Sequence, residues 1–140
     1  MMKTTKIPTC EPDAVPVVMV IEDDVAVAEL MGFLLRDAGF HVVLLQACPS
    51  LHEVHVAHPD LVIMELILHD TEAVCHLLQA LAADVKTRQI PVIICTAWKL
   101  AERDKAKLST LATDIVQKPF EIDELLRTAA AAMAIERPLV

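Results

Sequence analysis

Four short strand-like stretches of this chain each end on a polar side chain. Each stretch is mostly apolar and is bounded by turn-forming residues, a pattern typical of β-strands that are buried on both faces. Longer stretches with helical spacing of apolar residues separate them. This alternation of strand and helix predicts an α/β fold with a parallel sheet. The four stretches are residues 17–21, 59–64, 90–95 and 114–117.

The polar endings of these stretches are the candidate functional residues. Ligands of parallel α/β sheets bind at the carboxyl ends of the strands. Groups that follow different strands should therefore meet in one crevice, which would hold three carboxylates, a hydroxyl and an ammonium. These groups belong to Glu22, Asp23, Glu65, Thr96 and Lys118.

The remaining elements follow from apolar spacing and from signals that end helices. We expect the first helix to stop at Gly39, because glycine readily adopts the conformation that ends a helix. A short second helix should begin after Ser50, which can cap it, and end at Pro59. A second strand is predicted at 41–45, and further helices at about 25–38, 71–83, 100–111 and 122–134.

Composition predicts one small domain over residues 17–134, with a flexible tail at 1–16 and another at 135–140. The net charge of −8 and the pI near 5.1 argue against nucleic acid or an anionic membrane as partner and favour proteins. The apolar runs are too short to span a membrane, and residues 1–16 lack the apolar core of a signal peptide. We therefore expect a cytoplasmic protein.

The four cysteines agree with a reducing compartment. No pair shows the Cys-x-x-Cys spacing, and two lie inside predicted core elements, so reduced thiols are expected. Cys95 directly precedes Thr96, but strand alternation turns it to the opposite face of the sheet. A redox role for this thiol is therefore disfavoured.

The motifs at the strand ends, taken in order, resemble the receiver domain of bacterial two-component response regulators. They are Val17 to Asp24, Pro59 to Glu65, Ile90 to Ala97 and Lys118 to Leu126, and together they span most of residues 17–134. The resemblance implies a flavodoxin-like three-layer sandwich of five βα units, with a five-stranded parallel sheet of order 2-1-3-4-5. It also implies a signalling domain rather than an enzyme, with a histidine kinase or a downstream signalling protein as partner.

The resemblance also gives the polar endings their roles. The family has a phosphoryl-accepting aspartate at the position of Glu65, and Thr96 and Lys118 match the groups that coordinate the phosphoryl oxygens. Ile115 stands at the position of an aromatic switch residue, so the ring that swings inward in the family is missing. The bond between Lys118 and Pro119 is usually cis in the family.

Glu65 decides the predicted function. Its carboxylate lies one methylene farther from the backbone than that of aspartate, which displaces the carboxylate by about 1 Å or more. A displacement of this size can slow a reaction roughly 100-fold. Two interpretations stay open. The longer side chain reaches toward Thr96 and Lys118 and partly imitates a phosphorylated aspartate, or it only forms an ion pair with Lys118. Either way, we predict a receiver-like domain that acts by phosphorylation-independent protein interaction.

Two alternatives to this function remain. One is a working receiver that is phosphorylated at another acid, of which Asp70 is the nearest. The other is a small flavodoxin-like enzyme, which is disfavoured because the chain has no phosphate-binding glycine-rich loop and no nucleophile elbow.

Mg²⁺ is the candidate cofactor. Glu22, Asp23 and Glu65 offer carboxylate oxygens, the ligands that this hard cation prefers. Three carboxylates facing one ammonium would repel one another unless a cation or a retained proton compensates. The alternative is that Glu22 and Asp23 only complement the N-terminus of the first helix.

The expected interaction surface is formed by the fourth helix, the fifth strand and the fifth helix. On this surface Ile115 and its neighbours Leu108 and Leu111 would form an apolar patch suited to a homodimer or a protein partner.

Two further features are assigned structural roles. Trp98 is expected to pack against the fourth helix, with a role as a partner anchor as the alternative. The three histidines of the second helix are expected to form a solvated face rather than a zinc site, because no fourth ligand is visible. They are His52, His55 and His58.

Overall fold

A computed structural model of the chain describes residues 15–66 and 71–134. Most of the proposed N-terminal tail and all of the proposed C-terminal tail lie outside these ranges, and so does Asp70. No helix among the described residues is long and apolar enough to cross a membrane.

Five strands and five helices alternate along the chain. They are β1 Val17–Ile21, α1 Val25–Asp37, β2 His41–Leu45, α2 Leu51–Ala57, β3 Leu61–Met64, α3 Thr71–Ala83, β4 Val92–Thr96, α4 Glu102–Leu108, β5 Asp114–Gln117 and α5 Ile122–Ala134. The strands form one parallel sheet of order β2-β1-β3-β4-β5. This confirms the predicted α/β class and the flavodoxin-like strand order.

The sheet divides the core into two clusters, one on each face. Side chains alternate along the strands, so Val18 and Val20 face one cluster while Met19 and Ile21 face the other. Helices α1 and α5 cover the first cluster, here called the α1/α5 core, and α2 and α3 cover the second, the α2/α3 core. The predicted three-layer sandwich is therefore confirmed.

Cys95 belongs to the α1/α5 core, as strand alternation predicted. Burial raises the pKa of its thiol to about 12, because the charged thiolate is poorly solvated there. The thiol therefore stays protonated at neutral pH, which makes it a poor nucleophile.

The observed strand bounds differ from the prediction near two prolines. Strands β3 and β4 each begin two residues later than predicted, near Pro59 and Pro91, since proline has no N–H to donate to the ladder. Strand β4 also includes Thr96, which pairs with Gln117 of β5. The hydroxyl predicted to follow this strand is thus the last residue of the strand itself.

Helix α4 is shorter than the predicted 100–111. Ala101 precedes it without a side-chain cap. After its last residue, the hydroxyls of Ser109 and Thr110 donate hydrogen bonds to carbonyls of the last turn, which compete with continuation of the helix.

The other helix ends follow mostly from capping residues. Gly39 has a φ of 103° just after α1, as expected of a helix-ending glycine. Ser50 and Glu53 form a reciprocal capping box at the start of α2, which confirms the predicted cap. Helix α2 ends before Pro59, as predicted, although His58 lies outside the helix as its C-cap, in a left-handed conformation with a φ of 50°.

The histidines of α2 do not share one role. His52 and His58 are exposed, whereas His55 Nε2 lies 2.9 Å from Asp84 Oδ2 and so ties α2 to the end of α3. Hydrogen bonds from His55, then from Thr87 and the Lys86 backbone, hold the pKa of Asp84 below its ordinary value against the opposing effect of burial. The described residues contain no cluster of three or more His, Cys, Asp or Glu side chains that could hold a metal ion.

The contact between His55 and Asp84 should make stability depend on pH. A carboxylate with a lowered pKa in the folded protein stabilises the fold above its ordinary pKa of 3.8, and this contribution is lost as the pH falls. Asp84→Asn should therefore lower the free energy of unfolding at neutral pH, and its difference from the wild type should shrink below about pH 4. Urea unfolding across this range measures the effect. Asp37→Asn, at the exposed end of α1, is the control, and an equal Asp84→Asn effect at every pH would contradict the prediction.

Candidate functional site

The carboxyl edge of the sheet brings together Glu22, Glu65 and Lys118. Each residue directly follows a strand, namely β1, β3 and β5. The backbone N–H of each still donates to the carbonyl of the last residue of a neighbouring strand. The sheet therefore fixes the points from which the three side chains start.

Lys118 bridges the two glutamates. Its Nζ donates a hydrogen bond to Glu22 Oε1 at 2.5 Å and to Glu65 Oε1 at 2.8 Å. The exposed fractions are 4% for the Glu22 side chain, 8% for Glu65 and 14% for Lys118. We call this arrangement the Lys118 bridge.

The Lys118 bridge keeps the ammonium charged. Burial alone would lower the pKa of Lys118, but hydrogen bonds to Glu22 and Glu65 and the charges of both carboxylates outweigh it and raise the pKa. The bridge thus joins two buried carboxylates through one charged ammonium.

Thr96 lies fully buried at the end of β4, beside the Lys118 bridge in the sheet. Its Oγ1 accepts a hydrogen bond from the backbone N–H of Trp98 at 3.2 Å. The hydrogen bond described for this hydroxyl thus fixes the loop after β4. Its role as a phosphoryl-coordinating group stays a prediction.

Trp98 is exposed, and its packing against α4 stays a prediction. About half of the residue is exposed, 51%, because the loop carries it outward from the end of β4. Gln117, the last residue of β5, holds the same loop: its Nε2 donates to the carbonyl oxygens of Thr96 at 2.9 Å and Trp98 at 3.3 Å. Sequence reasoning missed Gln117, although an amide side chain at a strand end directly before Lys118 was a visible signal.

The predicted apolar patch on α4 and β5 is not an exposed patch. Ile115, Leu108 and Leu111 are partly buried and pack against the α2/α3 core. Leu108 at the end of α4, Leu111 in the following turn and Ile115 of β5 thus complete this edge of the core. Ile115 at the switch position is therefore a packing residue in this structure.

A family model covers the region that contains these groups. Residues 18–130 match the response regulator receiver domain. The chain belongs to this family. Receiver domains serve two-component signalling, so the match supports the predicted signalling role over a flavodoxin-like enzyme.

Curated relatives of this receiver domain are longer response regulators. The phosphate regulon transcriptional regulatory protein PhoB of Escherichia coli is 29% identical over 124 residues, which cover 87% of this chain and 53% of PhoB. The DNA-binding dual master transcriptional regulator RpaA of Synechocystis is 30% identical over 123 residues, which cover 84% of this chain and 49% of RpaA. The chain thus spans about half the length of these relatives.

Solved receiver structures share the fold. The response regulator receiver protein from Burkholderia phymatum is 27% identical, with a TM-score of 0.70 and coverage of 89% of this chain and 99% of that chain. The chemotaxis response regulator CheY4 of Vibrio cholerae has a TM-score of 0.75 at 19% identity, with coverage of 85% and 99%. The second comparison supports the fold alone.

Receiver domains typically bind Mg²⁺ at the phosphorylation site. The predicted set of three carboxylates is not assembled among the described residues, because Asp23 does not complete a metal-binding group with Glu22 and Glu65. Mg²⁺ nevertheless needs only one or two carboxylates when water completes its shell. Glu22 and Glu65 supply two buried carboxylates, a number that fits this requirement.

Proposed function

We propose that this receiver domain acts through protein interaction that does not require phosphorylation at position 65. This proposal rests on Glu65, which is buried directly after β3 and bound to Lys118. The extra methylene displaces the carboxylate from where an aspartate would present it, and positioning is most of what such a site contributes to phosphoryl transfer.

The Lys118 bridge supports the simpler of the two interpretations of Glu65. An ion pair with Lys118 is all that this interpretation requires, and that contact is present. Imitation of a phosphorylated aspartate would need more charge, because one carboxylate has a single charge where a phosphoryl group has about 1.5 to 2. We therefore propose Glu65 as a permanent counter-charge for Lys118.

The partner we propose is a protein of the same signalling pathway, either a histidine kinase or a downstream signalling protein. The acidic surface implied by the net charge of −8 disfavours nucleic acid. Such a pathway places the domain in the cytoplasm.

We propose the groove between α4 and β5 as the contact surface, with α5 beside it. The groove has a volume of about 360 Å³, and Glu102, Lys105, Ala106, Ser109, Asp114 and Ile115 line part of it. Its walls combine charged and small side chains, so a partner would be recognised by shape and polar contacts. Either a second copy of the chain or a pathway protein could occupy it.

We propose Mg²⁺ as a weak ligand of Glu22 and Glu65, with Asp23 near enough along the chain to contribute through water. Carboxylate oxygens are the ligands that this hard cation prefers. Lys118 competes with it, because the ammonium already contacts both carboxylates.

A phosphodonor assay tests the central proposal. Incubation with acetyl phosphate and Mg²⁺ should give no stable mass gain, because the Glu65 carboxylate is displaced. Glu65→Asp should restore acceptance if the rest of the site is intact. Intact-mass spectrometry measures both.

Two outcomes of that assay would reject the proposal. A lasting phosphorylated species in the wild type that disappears in Glu65→Gln would show that Glu65 is an acceptor. One that persists in Glu65→Gln and disappears in Asp70→Asn would favour the alternative acid.

Mg²⁺ should raise the melting temperature of the wild type, since a ligand of the native state stabilises it. At about ten times the dissociation constant the rise should be about 3 to 5 °C. Glu22→Gln combined with Asp23→Asn should abolish the rise, and Lys118→Met should enlarge it by removing the competing ammonium. Differential scanning fluorimetry measures these shifts, with Lys107→Met on exposed α4 as the control. Absence of a rise in both the wild type and Lys118→Met would exclude the site.

Blocking the groove should weaken association without disturbing the core. Ala106→Arg places a long charged side chain in the groove, and we expect at least about tenfold weaker binding because a misplaced charge at a contact costs over 1 kcal/mol. Analytical ultracentrifugation and pull-downs with candidate kinases report the effect. Ala82→Arg, at an exposed position of α3, is the matched control. Equal binding by both variants would show that the interface lies elsewhere.

A further inference from the structure

The amide of Gln117 joins the end of β5 to the loop after β4. The Thr96 carbonyl accepts two donors, the Lys118 backbone N–H at 2.8 Å and Gln117 Nε2 at 2.9 Å. Two residues farther along the chain, the Trp98 backbone is held at both ends: its N–H donates to Thr96 Oγ1, and its carbonyl accepts from Gln117 Nε2. Gln117 and Thr96 thus hold Trp98 from two sides, an arrangement we call the Gln117 clasp.

The elements around the Gln117 clasp hold this loop only loosely. Helix α4 follows the loop, has no side-chain cap at Ala101 and contains no fully buried residue. Strand β5 is a four-residue strand at the edge of the sheet. The loop runs from the buried strand β4 into this weakly held helix, beside the edge strand β5. Such a loop opens easily at its helical end unless specific bonds hold it.

We propose that Gln117 is a positioning residue that locks the loop after β4 in one arrangement, with Trp98 held outward irrespective of the charge at position 65. The role of this lock in signalling rests on the proposed function. The lock adds to that function a residue that keeps the loop ordered without a phosphoryl group. A contact residue fixed in advance loses little conformational freedom on binding, so a clasped loop can bind a partner at once.

Trp98 is the only tryptophan of the chain and so reports directly on its own loop. Gln117→Met keeps the length of the side chain and removes its donor, while Gln89→Met changes an exposed glutamine elsewhere. In Gln117→Met the Trp98 amide should exchange with solvent roughly threefold to tenfold faster, because hydrogen bonds that close the loop are lost. Acrylamide quenching of Trp98 fluorescence should rise in parallel. Neither should change in Gln89→Met.

Thr96 offers an independent check on the same clasp. Thr96→Val removes the hydroxyl acceptor at nearly constant volume and should also speed exchange of the Trp98 amide, while Thr96→Ser keeps the acceptor and should restore it. Far-UV circular dichroism identifies variants that keep the fold. Unchanged exchange and quenching in a folded Gln117→Met would overturn the proposal.

Glu65→Ala tests whether the order of the loop held by the Gln117 clasp depends on the charge at position 65. Exchange and quenching at Trp98 should match the wild type in Glu65→Ala, and loosening equal to that of Gln117→Met would overturn the independence that we propose. A phosphorylated Glu65 would reject the proposed function while leaving the effect of Gln117→Met in place.

Discussion

Lys118 is the charge on which the carboxyl edge of the sheet depends. Two buried glutamates converge there, and the hydrogen bonds from its ammonium are what make their burial tolerable. Removing one member of a buried ion pair is costly because the remaining charge stays buried, about 3 to 5 kcal/mol in measured cases. The Lys118 bridge is thus a structural link between β1, β3 and β5 as well as the centre of the candidate site.

Much of this arrangement was predictable from local sequence. Buried parallel strands read as short apolar runs, and the residue after each run must lie at one edge of the sheet, so Glu22, Glu65 and Lys118 could be placed together without knowing any contact. The strand order came from the resemblance to receiver domains, and the family match over residues 18–130 agrees with it. Helix caps such as Ser50 were also visible, because capping acts over only three residues.

Other features could not be predicted because they depend on how elements pack. Ile115 looked like a surface residue by position, yet it is partly buried and packs against the α2/α3 core. Trp98 looked like a packing residue by type, yet the end of β4 carries it into solvent. The bond between His55 and Asp84 joins residues that are 29 positions apart. In each case local pattern gave the element correctly and the tertiary neighbour decided the role.

The sheet that carries the candidate site also separates the interior into two halves. Among the described residues, the α1/α5 core and the α2/α3 core share no buried side chain, because alternation along the strands sends each strand residue to one half only. Substitutions in such separated places combine almost independently, usually within about 0.3 to 0.5 kcal/mol of the sum of their effects. One half of this domain can therefore accumulate changes in sequence without requiring compensating changes in the other half.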